Sequence, residues 1–222
     1  MKEKLILYLE QFVTERRLNL ISKVLAQRTR YLTVVLEDIF QPHNASAVLR
    51  SCDCFGIQDV HIIENRNTYR VNNDVALGSN KWLTLYKYNK EENNTIPALE
   101  KLRKQGYRIV ATTPHANGIA PWDYDLKKGK TALIFGTELG GLTDCATNLA
   151  DEFLTIPMVG FTESLNISVT VAILLYQLTG RLRKSDVPWK LSETETLQLK
   201  LQWLKNSISR SDSIEKSFTE NQ

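Results

Sequence analysis

The sequence predicts an α/β fold, with a parallel sheet carrying helices on both faces and helical extensions at both ends. The first observation is that strand-like segments such as YLTVVLEDI, DVHII, RIVATT, TALIFG and EFLTIPM alternate with helix-like ones, as in parallel sheets. The second is that residues 1–30 and 184–222 contain helical patterns only. Three regions follow: a basic helical extension (1–30), a sheet domain (31–183) and a helical tail (184–222).

The first half of the chain supplies six of these elements in order. Residues 1–30 have helical apolar spacing, and the strand YLTVVLEDI follows. A helix is expected from Asn44 to Phe55, with Asn44 as its N-cap and Gly56 ending it. The strand DVHII leads into a long polar loop, a strand at Leu83–Tyr86 and a helix at Ile96–Gln105.

The second half ends in two helices. After TALIFG, a short helix is expected at Leu142–Ala150, followed by EFLTIPM as a strand. An apolar helix then places Val169, Ala172, Ile173 and Tyr176 at helical spacing, which predicts that this stripe packs on the core. The tail has a capping box from Ser192 to Glu195, with an apolar stripe of Leu197, Leu201, Leu204 and Ile208. The last dozen residues are predicted to be disordered.

The composition favours a cytoplasmic globular protein without a metal. It is 42% hydrophobic and 24% charged, with neither an 18-residue apolar run nor a signal-peptide pattern at its start. The three cysteines are too few and too scattered for a disulfide framework, so we expect reduced thiols. His43, His61 and His115 do not complete a zinc pattern with them.

Positive charge is concentrated toward the two ends. Residues 1–30 carry a net +4, residues 31–177 a net −3 and residues 178–222 a net +2. This distribution suits a polyanion bound by the terminal helices, and it equally suits ordinary solvated helix faces.

Three strand ends carry the residues best suited to chemistry: QPHNASAVLR, FGTELGGLTD and IPMVGFTESLN. Ligands bind at this edge of parallel sheets. The glycines do not form the dinucleotide motif GxGxxG, and Tyr124 replaces the first glycine of a P-loop. GTELGG would let backbone approach a ligand closely, and with IPMVG it could hold a flat base such as adenine. GTELGG taken alone also suits a plain tight turn.

Three polar residues in these segments have two interpretations each. Arg50 is suited to phosphate, but it could instead reach the surface or pair with Asp53. Asn44 and Asn166 could serve chemistry or only cap helices.

Taken together, "NASAVLRSCDCFGI", "LIFGTELGGL" and "IPMVGFTESLNISVTVAILLY" resemble the three motifs of the SpoU family of RNA 2′-O-ribose methyltransferases. "GSNKW" and "HNASAVLR" are most similar to the members that methylate guanosine 18 of tRNA. The resemblance implies a SPOUT fold whose C-terminal part is tied in a deep trefoil knot. It also implies S-adenosylmethionine bound in the knot and a homodimer formed through the knot region.

The resemblance also implies roles for individual residues. Arg50 would activate the ribose hydroxyl, as proton acceptor or by positioning a phosphate and stabilising the alkoxide, because arginine is a poor base. Asn44 would support it, and Glu138 and Asn166 would complete the catalytic group. The expected cofactor-binding residues are Gly136, Thr137, Gly140, Gly141, Ile156, Met158, Ser164 and Leu165.

The activity expected from the resemblance is 2′-O-methylation of a tRNA ribose, at guanosine 18 in the D-loop. Two alternatives stay open: another RNA target, such as ribosomal RNA or a different tRNA position, and a catalytically silent RNA-binding protein on the same fold. The basic ends predict the tRNA contacts, with binding that weakens as salt rises. These residues are Arg16, Arg17, Arg28, Arg30, Arg181 and Arg183.

Overall fold

The computed structural model describes residues 2–70, 72–114, 118–137 and 140–220. The chain divides into two compact units, Met1–Thr29 with Lys190–Gln222, and Arg30–Trp189. The two terminal segments, which the sequence suggested as separate extensions, therefore belong to one unit.

The larger unit is built on a six-stranded parallel sheet. Its strands are β1 (Leu32–Glu37), β2 (Asp59–Ile63), β3 (Thr84–Tyr88), β4 (Arg108–Thr112), β5 (Thr131–Phe135) and β6 (Glu152–Leu154). They lie in the order β3-β2-β1-β5-β4-β6, and every pair is parallel. The predicted parallel sheet is confirmed, although the last strand ends at Leu154, before the TIPM segment that was expected to extend it.

Helices cover both faces of this sheet. They are α3 (Pro42–Phe55), α4 (Asn73–Ala76), α5 (Thr95–Lys104), α6 (Asp144–Asn148) and α7 (Ile167–Arg183), with 3-10 turns at Ser79–Lys81 and Leu126–Lys128. Leu32, Val34 and Leu36 of β1 belong to the same buried cluster as α3 and α7. Val35, between them, joins a second cluster with α5 and α6. Alternate residues of a strand point to opposite faces, so the two clusters lie on the two sides of the sheet.

Helix α3 begins earlier than the sequence suggested. Gln41 is its N-cap and Pro42 occupies the first turn, where a missing N–H has no cost. Asn44 therefore lies within the first turn, and its prediction as the N-cap was wrong. Gly56 ends the helix in the left-handed region at φ 80°, as predicted.

The predicted core stripe of α7 was wrong. Val169, Ile173 and Tyr176 are 44%, 40% and 69% exposed. The residues that pack inward are Ile167, Val171, Leu174, Leu175, Leu178 and Leu182. Because α7 is apolar on both sides, its periodicity alone could not show which side faces the sheet.

The smaller unit is helical. It contains α1 (Lys2–Glu10), α2 (Glu15–Leu25), α8 (Glu193–Ser207) and α9 (Ser211–Glu220). The single helix expected over residues 1–30 is interrupted, and Thr14 caps α2 through its side chain. The capping box of Ser192 and Glu195 is confirmed. The disorder expected for the last dozen residues was wrong over α9, since those residues are helical.

Candidate active site

One cavity opens at the carboxyl ends of β4, β5 and β6, with a volume of about 460 Å³. Its walls come from segments that are distant in sequence, the end of β4, the loop after β5 and the segment between β6 and α7. All eight residues predicted to bind the cofactor line it: Gly136, Thr137, Gly140, Gly141, Ile156, Met158, Ser164 and Leu165. The structure thus assembles this predicted set in one place.

The loop after β5 folds back on itself at very close range. Thr137 and Gly141 exchange two backbone hydrogen bonds, at 2.9 and 3.1 Å. A Cβ on Gly136 would lie 2.1 Å from the carbonyl atoms of Gly141, and Gly141 itself has φ 65°. Both glycines are therefore required by the backbone path. Glu138, predicted to be catalytic, lies outside the described residues.

Asn44 and Asn166 meet although they are 122 residues apart in sequence. Asn166 Nδ2 donates to Asn44 Oδ1 over 3.1 Å. Asn166 Oδ1 accepts from the backbone N–H of Ser168 at 2.8 Å and caps α7. Asn44 is buried and donates to Gln41 Oε1 at 3.1 Å. Asn166 thus caps a helix and also joins the first motif to the third.

Arg50 lies on the exposed side of α3, and it is not among the described residues that line the cavity. It shares that side with His43 and Cys54, while Asn44 and Leu49 are buried. Asn44 and Asn166 are likewise not among the described residues that line the cavity, although Leu165 and Ile167, on either side of Asn166, belong to them.

Glu37 is a buried residue at this sheet edge that the sequence reasoning missed. Its Oε1 accepts from the hydroxyls of Thr95 at 2.6 Å and Thr143 at 2.8 Å. Its Oε2 accepts from the backbone N–H of Thr143 at 3.0 Å. Thr143 follows the cavity loop and caps α6. The sequence did carry a signal for Glu37, which is an acidic residue at the end of the otherwise uncharged strand LTVVLE. An acidic side chain buried there would need hydrogen-bonding partners.

Several arginines predicted to bind RNA have guanidinium contacts within the protein. Arg28 is 1% exposed, with its guanidinium 5.1 Å from the centre of the Trp203 ring. Arg30 pairs with Asp59 at 3.0 Å. Arg181 donates to the carbonyls of Pro121 and Tyr124, and Arg183 to that of Phe55.

The burial of Arg28 contradicts its assignment as an RNA contact. Burial also lowers the pKa of Arg183. Arg16 and Arg17 remain exposed.

Two further observations bear on cofactors and membranes. Across the described residues, no group of three or more His, Cys, Asp or Glu side chains is placed to hold a metal ion. Within the same residues, every helix is too short or too polar to cross a bilayer. Cys52, Cys54 and Cys145 are free thiols.

A parallel sheet with a cavity at its carboxyl edge, walled by the second and third motifs and with the first motif bonded to the third, is typical of a class of RNA-modifying methyltransferases. The chain belongs to the SpoU rRNA Methylase family, whose model matches residues 31–176. The predicted SPOUT fold with its C-terminal knot is thereby confirmed.

Several relatives within the family are similar over most of the chain. The chain is 44% identical over 207 residues to a tRNA (guanosine(18)-2′-O)-methyltransferase of Borreliella burgdorferi, covering 93% of each protein. A Thermus thermophilus protein of the same name is 35% identical, over 74% of this chain and 82% of that one. The crystal structure of the A. aeolicus TrmH/SpoU tRNA modifying enzyme matches with a TM-score of 0.76 at 29% identity, over 88% and 98%.

Proposed function

We propose that this protein transfers a methyl group from S-adenosylmethionine to the ribose 2′-hydroxyl of guanosine 18 in tRNA. The observation that carries the proposal is the convergence of the three motifs. The second and third motifs line one cavity, and the first is bonded to the third through Asn44 and Asn166. The relative at 44% identity, which is named for this reaction, supports the choice of substrate. A tRNA substrate also implies that the protein acts in the cytoplasm.

The residues of the cavity fit S-adenosylmethionine. Its walls combine apolar side chains, such as Phe135, Leu142 and Leu165, with Gly136, Gly140 and Gly141. Such a site can hold the flat adenine through main-chain hydrogen bonds with apolar groups above and below it. When bound, this cofactor supplies an electrophilic methyl group. The protein then has to align the ribose hydroxyl and exclude water.

Asn44 and Asn166 are suited to hold the ribose, because Asn166 stands between Leu165 and Ile167, which both line the cavity. Their amides are fixed by Gln41 and by the N-terminus of α7, so little side-chain freedom is lost when substrate binds. Arg50 would act on the hydroxyl, either by accepting its proton or by positioning the neighbouring phosphate and stabilising the developing alkoxide.

A homodimer accounts for the position of Arg50 and for the exposed side of α7. Large apolar side chains are exposed from the end of the cavity segment through α7: Val159, Phe161, Leu165, Val169, Ile173 and Tyr176. A contiguous apolar surface of this kind is typical of an interface. Helices α3 and α7 are neighbours, as the contact of Phe55 with Tyr176 shows, and Arg50 and Tyr176 are both exposed. A second copy on this surface would enclose Arg50 and the cavity segment together.

The proposal is tested with purified protein, labelled S-adenosylmethionine and an unmodified tRNA transcript. We expect label at a single ribose, mapped to guanosine 18 by nuclease digestion and mass spectrometry. A transcript with adenosine at position 18 should stay unlabelled, and Arg50→Ala should abolish transfer while the protein still binds the cofactor. Label at another position, or only in ribosomal RNA, would replace the proposed target. Cofactor binding without transfer to any RNA would support a silent binding protein.

A further inference from the structure

The loop after β2, residues 64–70, presents two arginines beside the candidate active site. We infer that Arg66 and Arg70 form a phosphate-binding surface that holds the RNA backbone as it crosses toward the cavity. The inference rests on the proposed function, because it names where that RNA would lie. It also supplies RNA contacts in place of Arg30, Arg181 and Arg183, which are engaged within the protein.

A buried carboxylate holds the backbone of this loop. Asp38 follows β1, is 5% exposed and has φ 55°, a left-handed conformation unusual for residues other than glycine. Its Oδ1 accepts from three consecutive backbone N–H groups, those of Asn65, Arg66 and Asn67, at 2.7, 2.9 and 3.2 Å. Three such bonds to one buried carboxylate hold the backbone at Arg66 in place.

A second anchor lies directly before Arg70. Tyr69 is 6% exposed and belongs to the buried cluster that includes α3 and α7. Its backbone N–H donates to Glu64 Oε1 at 2.8 Å, and Glu64 Oε2 also accepts from Asn89 at 2.8 Å. Both oxygens of the Glu64 carboxylate are therefore engaged, one by the loop and one by Asn89 after β3.

The two arginine side chains remain exposed. Among the residues that the structure describes, no carboxylate forms an ion pair with either of them. A guanidinium on a rigid backbone, without a competing acid, is well suited to bind a phosphate through two hydrogen bonds.

The position of the loop links it to the reaction. The strands are parallel, so the loop after β2 and the cavity after β5 lie at the same edge of the sheet, two strands apart, or about 10 Å. Just beyond the loop, the backbone N–H of Asn72 donates to Ser46 Oγ at 2.7 Å. Ser46 belongs to α3, so the chain just after the loop contacts the helix that carries Asn44, the partner of Asn166. A strand of RNA whose ribose reaches these asparagines can lay its neighbouring phosphates over the loop.

The test compares the Arg66→Gln/Arg70→Gln double variant with wild type for tRNA binding at several salt concentrations. We expect affinity at low salt to fall roughly tenfold for each arginine. The slope of log affinity against log salt should decrease by about 1 per lost contact. The KM for tRNA should rise, with kcat at saturating tRNA and the affinity for S-adenosylmethionine unchanged. Arg66→Lys/Arg70→Lys should restore most of the binding.

The control is Lys104→Gln/Lys127→Gln, which removes the same charge at the opposite edge of the sheet. Both lysines are exposed and precede β4 and β5. Wild-type affinity and salt slope in the arginine variant, or equal losses in the control, would overturn the inference. If the wild-type protein methylates guanosine 18 and the double variant binds tRNA as tightly as wild type, the proposed function stands and this surface does not. If tRNA binding depends on the two arginines but no RNA is methylated, the surface stands and the proposed function does not.

Discussion

Asn166 Nδ2 donates to Asn44 Oδ1 across 3.1 Å while Asn166 Oδ1 caps α7 at the N–H of Ser168. One side chain therefore has two separable functions. Its oxygen stabilises a helix, and its amino group connects that helix to α3. Substitutions that remove one function and keep the other can show which of them serves catalysis.

Asn166→Asp should preserve the cap and lose the donor to Asn44. We expect the cap to be retained, because aspartate caps as well as asparagine, and the free energy of unfolding to fall by about 1 kcal/mol for the bond lost at buried Asn44. The kcat for methyl transfer should fall by roughly two orders of magnitude if the amide positions the ribose, as for other positioning groups. Asn166→Ala should lose activity and, because it removes both the cap and that bond, about 2 kcal/mol of stability.

A matched control comes from the cap of α8. Ser192→Ala removes a side-chain cap outside the sheet unit, where Ser192 Oγ accepts from the N–H of Glu195. It should lower stability by about 1 kcal/mol and leave kcat unchanged. If Asn166→Asp retained full activity, the amide would be only a structural cap.

Glu37 should act as a positioning residue for the cofactor loop. Glu37→Gln replaces one carboxylate oxygen by an NH2 group, which cannot accept the hydrogen bond from Thr143. The end of the loop should therefore lose its alignment. We expect the Kd for S-adenosylmethionine, measured by calorimetry, to rise roughly tenfold, which corresponds to about 1.4 kcal/mol. Thr143→Val should reproduce the effect and Thr143→Ser should largely rescue it.

The control for Glu37 lies at the other end of the same strand. Thr33 is buried, and its hydroxyl donates to the carbonyl of Asp59 at 2.7 Å. Thr33→Val should reduce stability without changing cofactor affinity. An equal loss of affinity in both variants would reduce Glu37 to a general contributor to stability.

The exposed side of α7 should be buried in a homodimer. Ile173→Glu/Tyr176→Glu places two charges on that side, so sedimentation at micromolar concentration should show monomers where wild type sediments as dimers. Methyl transfer should fall with the dimer fraction. Ile96→Glu is the control, since Ile96 is 43% exposed on α5. A wild-type protein that sediments as a monomer at all concentrations would contradict the proposed assembly.

His61 should make the protein less stable in mild acid. Burial, followed by the charge of Lys101, lowers the pKa of His61 to about 4 from its ordinary 6.5. Below pH 6.5 the unfolded chain binds a proton that the folded chain does not, so stability falls as pH drops toward 4. The loss should approach roughly 3 kcal/mol over that interval.

Urea unfolding at pH 7.0, 5.5 and 4.5 measures the effect of His61. His61→Gln should flatten the dependence, and Gln can still bond Tyr88, which now lies 3.0 Å from His61 Nδ1. His43→Gln, at an exposed histidine, should leave the slope as in wild type. A slope unaffected by His61→Gln would assign the acid sensitivity to other groups.

The sheet could be predicted because its strands are short, continuous apolar runs with few alternatives. The side of α7 that faces the sheet could not be predicted, because the helix carries apolar residues on both sides. Only packing against β1 and α3 selects the buried side. The helix at Ser211–Glu220 was missed although Ile214 and Phe218 lie at helical spacing, because a polar terminal segment was expected to be disordered. The sequence also could not show that Arg30 and Arg181 are engaged within the protein. Their partners, an aspartate and two backbone carbonyls, are distant in sequence.

The sequence by itself determined the fold class, the three motifs and the set of residues that would line a cofactor cavity. The fold class depends on local apolar runs that are visible along the chain, and the cavity residues came from the resemblance of the three motifs to the SpoU family. Only the tertiary structure decided that Asn44 meets Asn166, that Glu37 ties the cavity loop to the central strand, and that Arg50 faces outward. Each depends on contacts between residues far apart in sequence, and no local pattern specifies the direction in which a side chain finally points.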